Sequence, residues 1–474
     1  MGRERPARCY TRFSPPGKLS YVSRRPAHLR IEPGDVNSCW TPDSSHAKEL
    51  HNRAQRLCRG TDFLNCIAIR LVWRQPLQNR EAKMHMKKRN LPAIVAAIIT
   101  IGCLTISAQT VTTLHSFNGS DGLSPDAALV QGSDGNFYGT TALGGANSKG
   151  TAFKITAAGN LTTLHSFSGF PTDGALPAAG LLPTNLGIFV GTTASGGMFF
   201  QGTVFGMTPS GVTVMLHSFN FFLGEGAVPT AGLVRGSDGN FYGTTVSGGA
   251  HYLGTVFKMT PIGTLTTLHS FSGPPSDGAV PVAALVQGTD GNFYGTTTYG
   301  GEHAQGTVFQ ITPAGALTVL HSFSGAPSEG AVPTAGLVRA SDGNFYGTTI
   351  SGGAHYLGTV FKIDGTGNLT TLHSFSGSPS EGAGPFAGLV QGSDGNFYGT
   401  TAAGGAHYQG TLFRITSSGA LTVLHSFSAP SEGAVPFAGL VQGTDGNFYG
   451  TTALGGANSE GTVFKLSSSS ISNN

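Results

Sequence analysis

The chain has 474 residues, 72 of them glycine, and a formal charge of +3 that conceals two unlike parts. Residues 1–108 hold 19 Lys and Arg against 7 Asp and Glu, a net +12, whereas residues 109–474 hold 8 against 17, a net −9. The acidic part lacks the clustered cations that phosphate binding needs, which argues against nucleic acid as a partner. All five cysteines precede it, so it has no disulfide to form and no thiolate to use.

Residues 1–83 are rich in Arg and Pro and show no sustained period of 2 or 3.6. Met84-His-Met86-Lys-Lys-Arg-Asn then leads into the apolar run Leu91–Ile106 and Ser107-Ala108-Gln109. A positive stretch, an apolar stretch and a small residue at the cut are the parts of a secretory signal, so residues 84–108 read as a signal peptide cleaved after Ala108. The apolar run is short for a membrane span. A signal belongs at an N-terminus, so translation is expected to start at Met84 or Met86, with residues 1–83 an extension that is disordered or lies outside the native protein. The mature chain is expected to be secreted or at the cell surface, periplasmic or extracellular, monomeric and without a membrane span of its own.

From residue 109 onward the chain repeats. Gly-Asn-Phe-Tyr-Gly-Thr-Thr stands at Gly135–Thr141, Gly239–Thr245, Gly291–Thr297, Gly343–Thr349, Gly395–Thr401 and Gly446–Thr452, with a worn copy at Ile188–Thr193. The unit is about 52 residues long, a period that indicates a propeller, solenoid or array. In the copy from Ala283, Ala283–Gln287 is a first strand, an Asp-Gly turn follows, and Asn292–Thr297 is a second strand. Tyr299–Gly306 is a glycine-rich loop, Thr307–Thr312 a third strand and Leu317–Phe323 a fourth. Four short antiparallel strands repeated radially describe a propeller blade. Leu-His-Ser-Phe and Gly-Thr-x-Phe each occur seven times, but the order is permuted: the repeats open on a fourth strand, Val111–Phe117, and close on a third, Thr462–Leu466. The expected fold is therefore an all-β, seven-bladed β-propeller over residues 109–466, in which strand 111–117 completes the last blade and leaves no open edge. Residues 467–474 form a Ser-rich tail.

The recurring text DGNFYGTT, GG, GTVFKIT and LHSF resembles the tandem repeat of bacterial GloVer-type choice-of-anchor proteins, an exported β-propeller repeat family. The resemblance covers about residues 109–466 and implies an extracellular or surface protein of no defined activity. Such proteins often end in a sorting anchor, whereas Ser467–Asn474 carries no apolar tail.

In a four-stranded blade the second-to-third loops and the fourth-to-first connections open on one rim, here called upper. The Asp-Gly turns fall on the lower rim, where Asp tolerates the turn and bonds its own backbone. The seven Leu-His-Ser-Phe histidines, one per blade, read as packing and hydrogen-bonding residues. Each upper connection carries an acid before Gly, among them Glu225, Asp277, Glu329 and Glu381, and the interchange of Asp and Glu points to a charge requirement. The loops of four adjacent blades add His251 and Tyr252, His303, His355 and Tyr356, and His407 and Tyr408. These residues could hold a divalent cation, stack a glycan on Tyr, or perform acid–base chemistry; the plain alternative is solvated loops copied by duplication. The second blade breaks the pattern with Met198, Phe199, Phe200, Phe221, Phe222 and Leu223, a candidate partner patch unless its two loops pack on each other. No organic cofactor is implied. The leading expectation is a non-enzymatic scaffold that binds a glycan, cation or protein at the upper rim; the alternative is a propeller lyase or hydrolase using upper-rim His and Glu.

Overall fold

The computed structural model describes residues 109–467. The expected signal segment and N-terminal extension, and the tail beyond Ser467, lie outside the described residues. Seven four-stranded antiparallel sheets succeed one another along the chain. The first blade is Val130–Gln131, Phe137–Thr141, Thr151–Ile155 and Leu161–Ser166, from axis to periphery. Each later blade repeats this plan, and in the seventh Val441–Gln442, Phe448–Thr452 and Thr462–Leu466 are completed by Val111–Ser116. Val111 lies opposite Leu466 and Ser116 opposite Thr462, the expected clasp.

The core sits between blades rather than within them. One cluster joins Tyr242, Val256 and Phe271 of the third blade to Leu285, Phe293, Phe309 and Ile311 of the fourth, and six equivalents complete the ring. Both faces of each sheet are thus covered, which is why the second strand Phe293–Thr297 is buried throughout and the third, Thr307–Ile311, at every residue but Gln310. At six of the seven seams a Tyr ring packs on the next blade's Phe, as for Tyr242 and Phe293, 3.9 Å between centroids, and Tyr449 and Phe137, 4.0 Å, across the clasped seam.

The first strand is shorter than its apolar run. Only Val286–Gln287 of Ala283–Gln287 joins the ladder, because Ala283 and its counterparts serve the neighbouring blade instead. The first Thr of each Gly-Thr-Thr donates to that carbonyl across the seam, from Thr140 to Ala179 at 3.0 Å round to Thr451 and Ala127 at 3.4 Å. The second Thr bonds within its blade, as Thr245 does to Thr255 at 2.8 Å. Every outer strand also carries a bulge before its histidine. The bulged leucine exposes its carbonyl to the next blade's third-to-fourth turn. Gly263 sits there at φ +89°, and a Cβ would lie 2.1 Å from the Leu216 oxygen, so only glycine fits the approach.

On the lower rim each Asp-Gly aspartate organises its own turn. Asp290 accepts from the Asn292 backbone and side-chain amides and from the Tyr294 hydroxyl at 2.9 Å. The second blade has Leu186, Ile188 and Val190 at the corresponding places, so the acceptor and both donors are lost together.

Candidate functional site

The upper rim is built by two crossing segments per blade. The incoming connection and the second-to-third loop pair as a short antiparallel ladder, Gly278–Ala279 with Tyr299–Gly300 for instance. Four blades form this ladder and the other three a single bridge, such as Leu123 with Leu143.

The acids before Gly are the hubs of these connections. Each is bonded by the histidine of the preceding outer strand: Glu225 by His217 at 3.1 Å, Asp277 by His269 at 3.0 Å, Glu329 by His321 at 2.7 Å and Glu381 by His373 at 3.1 Å. Asp277 also accepts from the Ser272 amide at 2.9 Å, the Ser272 hydroxyl at 3.1 Å and the Gly278 amide at 2.8 Å. Burial alone would raise its carboxyl, but the bonds from His269, Ser272 and Gly278 hold it below the ordinary range. Asp173, Glu329 and Glu381 are lowered in the same way. Asp and Glu interchange because both reach the same imidazole.

The loop residues stand apart from these pairs. His251, His303, His355 and His407 are exposed at the loop tips. Tyr252, Tyr356 and Tyr408 beside them are about two-thirds exposed or more and hold left-handed backbone at φ 61–62°. A bulky residue is uncommon there. The structure thus brings His and Tyr together on consecutive blades but turns the acids toward the outer-strand histidines. Among the described residues no group of three or more His, Cys, Asp or Glu could hold a metal ion.

The second blade's two apolar loops lie on this rim, and each stacks a ring on another segment. Phe200 stacks on Phe170 of the incoming connection, 4.1 Å between centroids and 12° between planes. Phe221 stacks on Tyr252 of the third blade at 5.4 Å. Phe221–Leu223 form a 3-10 turn capped by the Asn220 side chain, which leaves Phe222 91% and Leu223 71% exposed. Met198, Phe199 and Phe200 are exposed as well, and Phe221 alone of the six is half-buried.

The two rims differ in kind. All ten exposed aromatic side chains among the described residues lie on the upper rim, whereas its lower counterpart exposes Leu186 and Ile262 at its turns. Ten of the 17 acids of residues 109–474 are on the upper rim with one cation, Lys149, so the whole net charge of −9 belongs to that rim. The lower half balances seven acids with seven cations, of which Lys258 pairs with Asp238 at 2.9 Å.

One asymmetric feature escaped the reading of single repeats. Just ahead of the axial Ala of each blade stand Asp126, Ala178, Thr230, Val282, Thr334, Phe386 and Phe437, a ring of unlike residues around the upper mouth of the axis. Aligning the seven copies at their Pro-x-Ala text exposes it. Phe386 and Phe437 meet edge to face at 5.0 Å. Asp126 has an oxygen, Oδ1, that is buried without a hydrogen-bond partner, and burial pushes its carboxyl up to about 6 against a bond from Ser124. A carboxyl raised on folding costs stability above its folded value and costs nothing below the ordinary range near 4. Asp126→Thr, the residue of the third and fifth blades, is therefore expected to stabilise the protein at pH 8 by on the order of 1–3 kcal/mol and to give no such gain at pH 3.5. Thermal melts at both pH values check this; an equal gain at both would assign the effect to packing.

Structures with a similar chain course are bacterial. An extracellular domain assigned to a hybrid two component system, BT3049 of B. thetaiotaomicron, superposes with a TM-score of 0.50 at 10% identity, over 76% of this chain and 41% of that one. A second, assigned to the one component system BT4673 of the same organism, gives 0.48 at 10% identity over 75% and 40%. The chain thus spans about two-fifths of these neighbours, and the likeness shows the fold alone. No curated protein matches the sequence. Among the described residues no helix is long and apolar enough to cross a membrane. The model of the Gloeobacter/Verrucomicrobia repeat matches residues 100–304 and 283–473, and with seven blades built from that unit the chain belongs to the Gloeobacter/Verrucomicrobia repeat family.

Proposed function

We propose that the protein is an exported, non-enzymatic scaffold that binds a ligand or partner (glycan, cation or protein) through its upper rim. The observation that carries this reading is the segregation of every exposed aromatic and the entire net charge onto one rim of a ring made from a single repeated unit. Duplication copies all blades alike, yet the rim aromatics are unequal between blades. The first and last described residues meet on the lower side, where the Ser467 amide donates to the Thr110 carbonyl at 3.0 Å. Lyase or hydrolase chemistry requires one unequal acid–base pocket, whereas the seven His–acid pairs are built alike.

The test is binding by mature protein, residues 109–474, on a glycan array, to a peptide panel, and to zinc, nickel and copper by calorimetry. At least one class is expected to bind, with affinity reduced about tenfold by Tyr356→Ser with Tyr408→Ser or by Phe222→Ser with Leu223→Ser. Leu186→Ser and Ile262→Ser on the lower side are expected to bind as the parent does. A ligand indifferent to both upper-rim pairs and sensitive to the lower-side variants would place the binding surface elsewhere.

A further inference from the structure

The upper rim is not uniform in what it offers. Over the fifth and sixth blades exposed Tyr alternates with His, groups that hydrogen-bond. Over the second and third blades the exposed groups are different: the Phe170–Phe200 stack, Met198, Phe222, Leu223 and Tyr252. These are large and almost wholly apolar, and they belong to adjacent blades: Phe200 lies in the second-to-third loop of the second blade, Phe222 in the connection that leaves that blade, and Tyr252 in the second-to-third loop of the third. An apolar surface of this kind on a soluble protein marks a contact with another molecule.

We propose that this patch docks a basic polypeptide, which inserts an apolar anchor among Phe200, Phe222 and Leu223 and sets its cations against the surrounding acidic rim. The proposal rests on the upper rim being the binding surface and names its partner. Charge selects the occupant. A rim with ten acids and one cation attracts a basic chain over roughly a Debye length, about 8 Å at physiological salt. The same charge repels a second copy presented rim to rim, and it repels an anionic lipid surface. A glycan is disfavoured for a separate reason: Phe and Leu side chains offer neither donor nor acceptor to its hydroxyls, Met offers only a weak thioether acceptor, and one face of Phe200 is already taken by Phe170. Aromatic anchors in a desolvated centre with charges at the edge are the usual anatomy of a protein–protein contact. The patch is also held ready. Asn220 caps the turn that carries Phe222, accepting from its amide at 3.0 Å, and Gly224 closes the turn in left-handed backbone at φ 75°. Little ordering is left to occur on binding.

The experiment uses mature protein and three short synthetic peptides: one of Lys with Leu and Phe, one with its apolar residues replaced by Ser, and one with its Lys replaced by Glu. Fluorescence anisotropy is expected to show binding of the first, weakened severalfold from low to high salt, and at least about tenfold weaker binding of the other two. Phe222→Ser with Leu223→Ser is expected to lower affinity about tenfold while moving the melting temperature little, because both side chains are already in water. Equal binding of the acidic peptide, or unchanged affinity in the double variant, would overturn the proposal. If Tyr356→Ser with Tyr408→Ser reduces peptide binding and the Phe222 and Leu223 variant does not, the rim keeps its role and this patch loses it. If only lower-side variants matter, both readings fall. Light scattering separates the remaining occupant: a dimer abolished by the same double variant would make a second copy the partner and would also overturn the proposal.

Discussion

Deleting residues 109–117 from the mature chain is expected to abolish the folded monomer, not merely to lower its melting point. The strand supplies the entire outer edge of the seventh blade, paired along Thr462–Leu466. Phe117 at its end is fully buried, and its ring meets Phe153 edge to face at 5.3 Å in the cluster that also holds Phe137 and Tyr449. Without the strand, Val463–Leu466 becomes an unpaired edge and the cluster at the clasped seam opens. Phe117→Ala alone should cost about 3–5 kcal/mol, a large part of the 5–15 kcal/mol that a folded domain typically has. Every other blade is one unbroken stretch of chain, but the seventh holds its outer strand only by non-covalent pairing. Circular dichroism and size-exclusion chromatography of the truncated chain test the point, and adding the missing segment as a synthetic peptide should restore a compact monomer. A truncated chain that stays monomeric and melts like the parent would show that the clasp is dispensable.

The blade count and the clasp were legible because they depend on order along the chain. Seven copies of Gly-Thr-x-Phe and a permuted start leave one arrangement in which no strand lacks a partner. The Leu-His-Ser-Phe histidines make the hydrogen bonds expected of them, yet the sequence does not show that their partners are the rim acids, although each follows its histidine by six to eight residues. That spacing crosses a turn, and nothing in a linear reading says whether the turn folds the carboxylate back. The first strand is shorter than its apolar run because Ala283 turns its carbonyl to Thr244 of the preceding blade, a bond that no strand pattern encodes. Loop partners were least legible. Phe200 meets Phe170 and Phe221 meets Tyr252 because an incoming connection lies over the second-to-third loop of the blade it enters. This is a relation between radial positions, which a repeat period does not encode. The replacement of Asp, Asn and Tyr by Leu186, Ile188 and Val190 in one blade is a signal of another kind. An Asp, an Asn and a Tyr that vanish together belong to one hydrogen-bonded unit, and comparing repeats could have paired them.

Asp277→Ala is expected to be the most costly single change on the upper rim. Asp277 is 8% exposed and receives bonds from His269, twice from Ser272 and once from Gly278. Its removal leaves the half-buried His269 and the buried Gly278 amide without their acceptor, which costs about 1–3 kcal/mol. Asp277→Glu should lose under about 1 kcal/mol, because Glu225, Glu329, Glu381 and Glu432 make the same contact on other blades. The rescue distinguishes a charge anchor from a packing residue of fixed size. The pH dependence follows in sign. The carboxyls of Asp173, Asp277, Glu329 and Glu381 are held below their ordinary values in the folded protein, so they bind protons more readily when unfolded. Their stabilisation is complete above the unfolded range near pH 4 and is lost as pH falls through the lowered folded values. The lower-rim aspartates, Asp290 and Asp342 among them, shift in the same direction. The melting temperature of the parent should therefore stay high down to about pH 5 and drop steeply below about pH 4. Asp277→Ala should start lower and lose less on acidification, since one carboxyl no longer contributes. Melts from pH 7 to pH 3 on the three proteins decide the matter: parallel acid slopes for the parent and Asp277→Ala would mean that this carboxylate is not an ionic anchor of the rim.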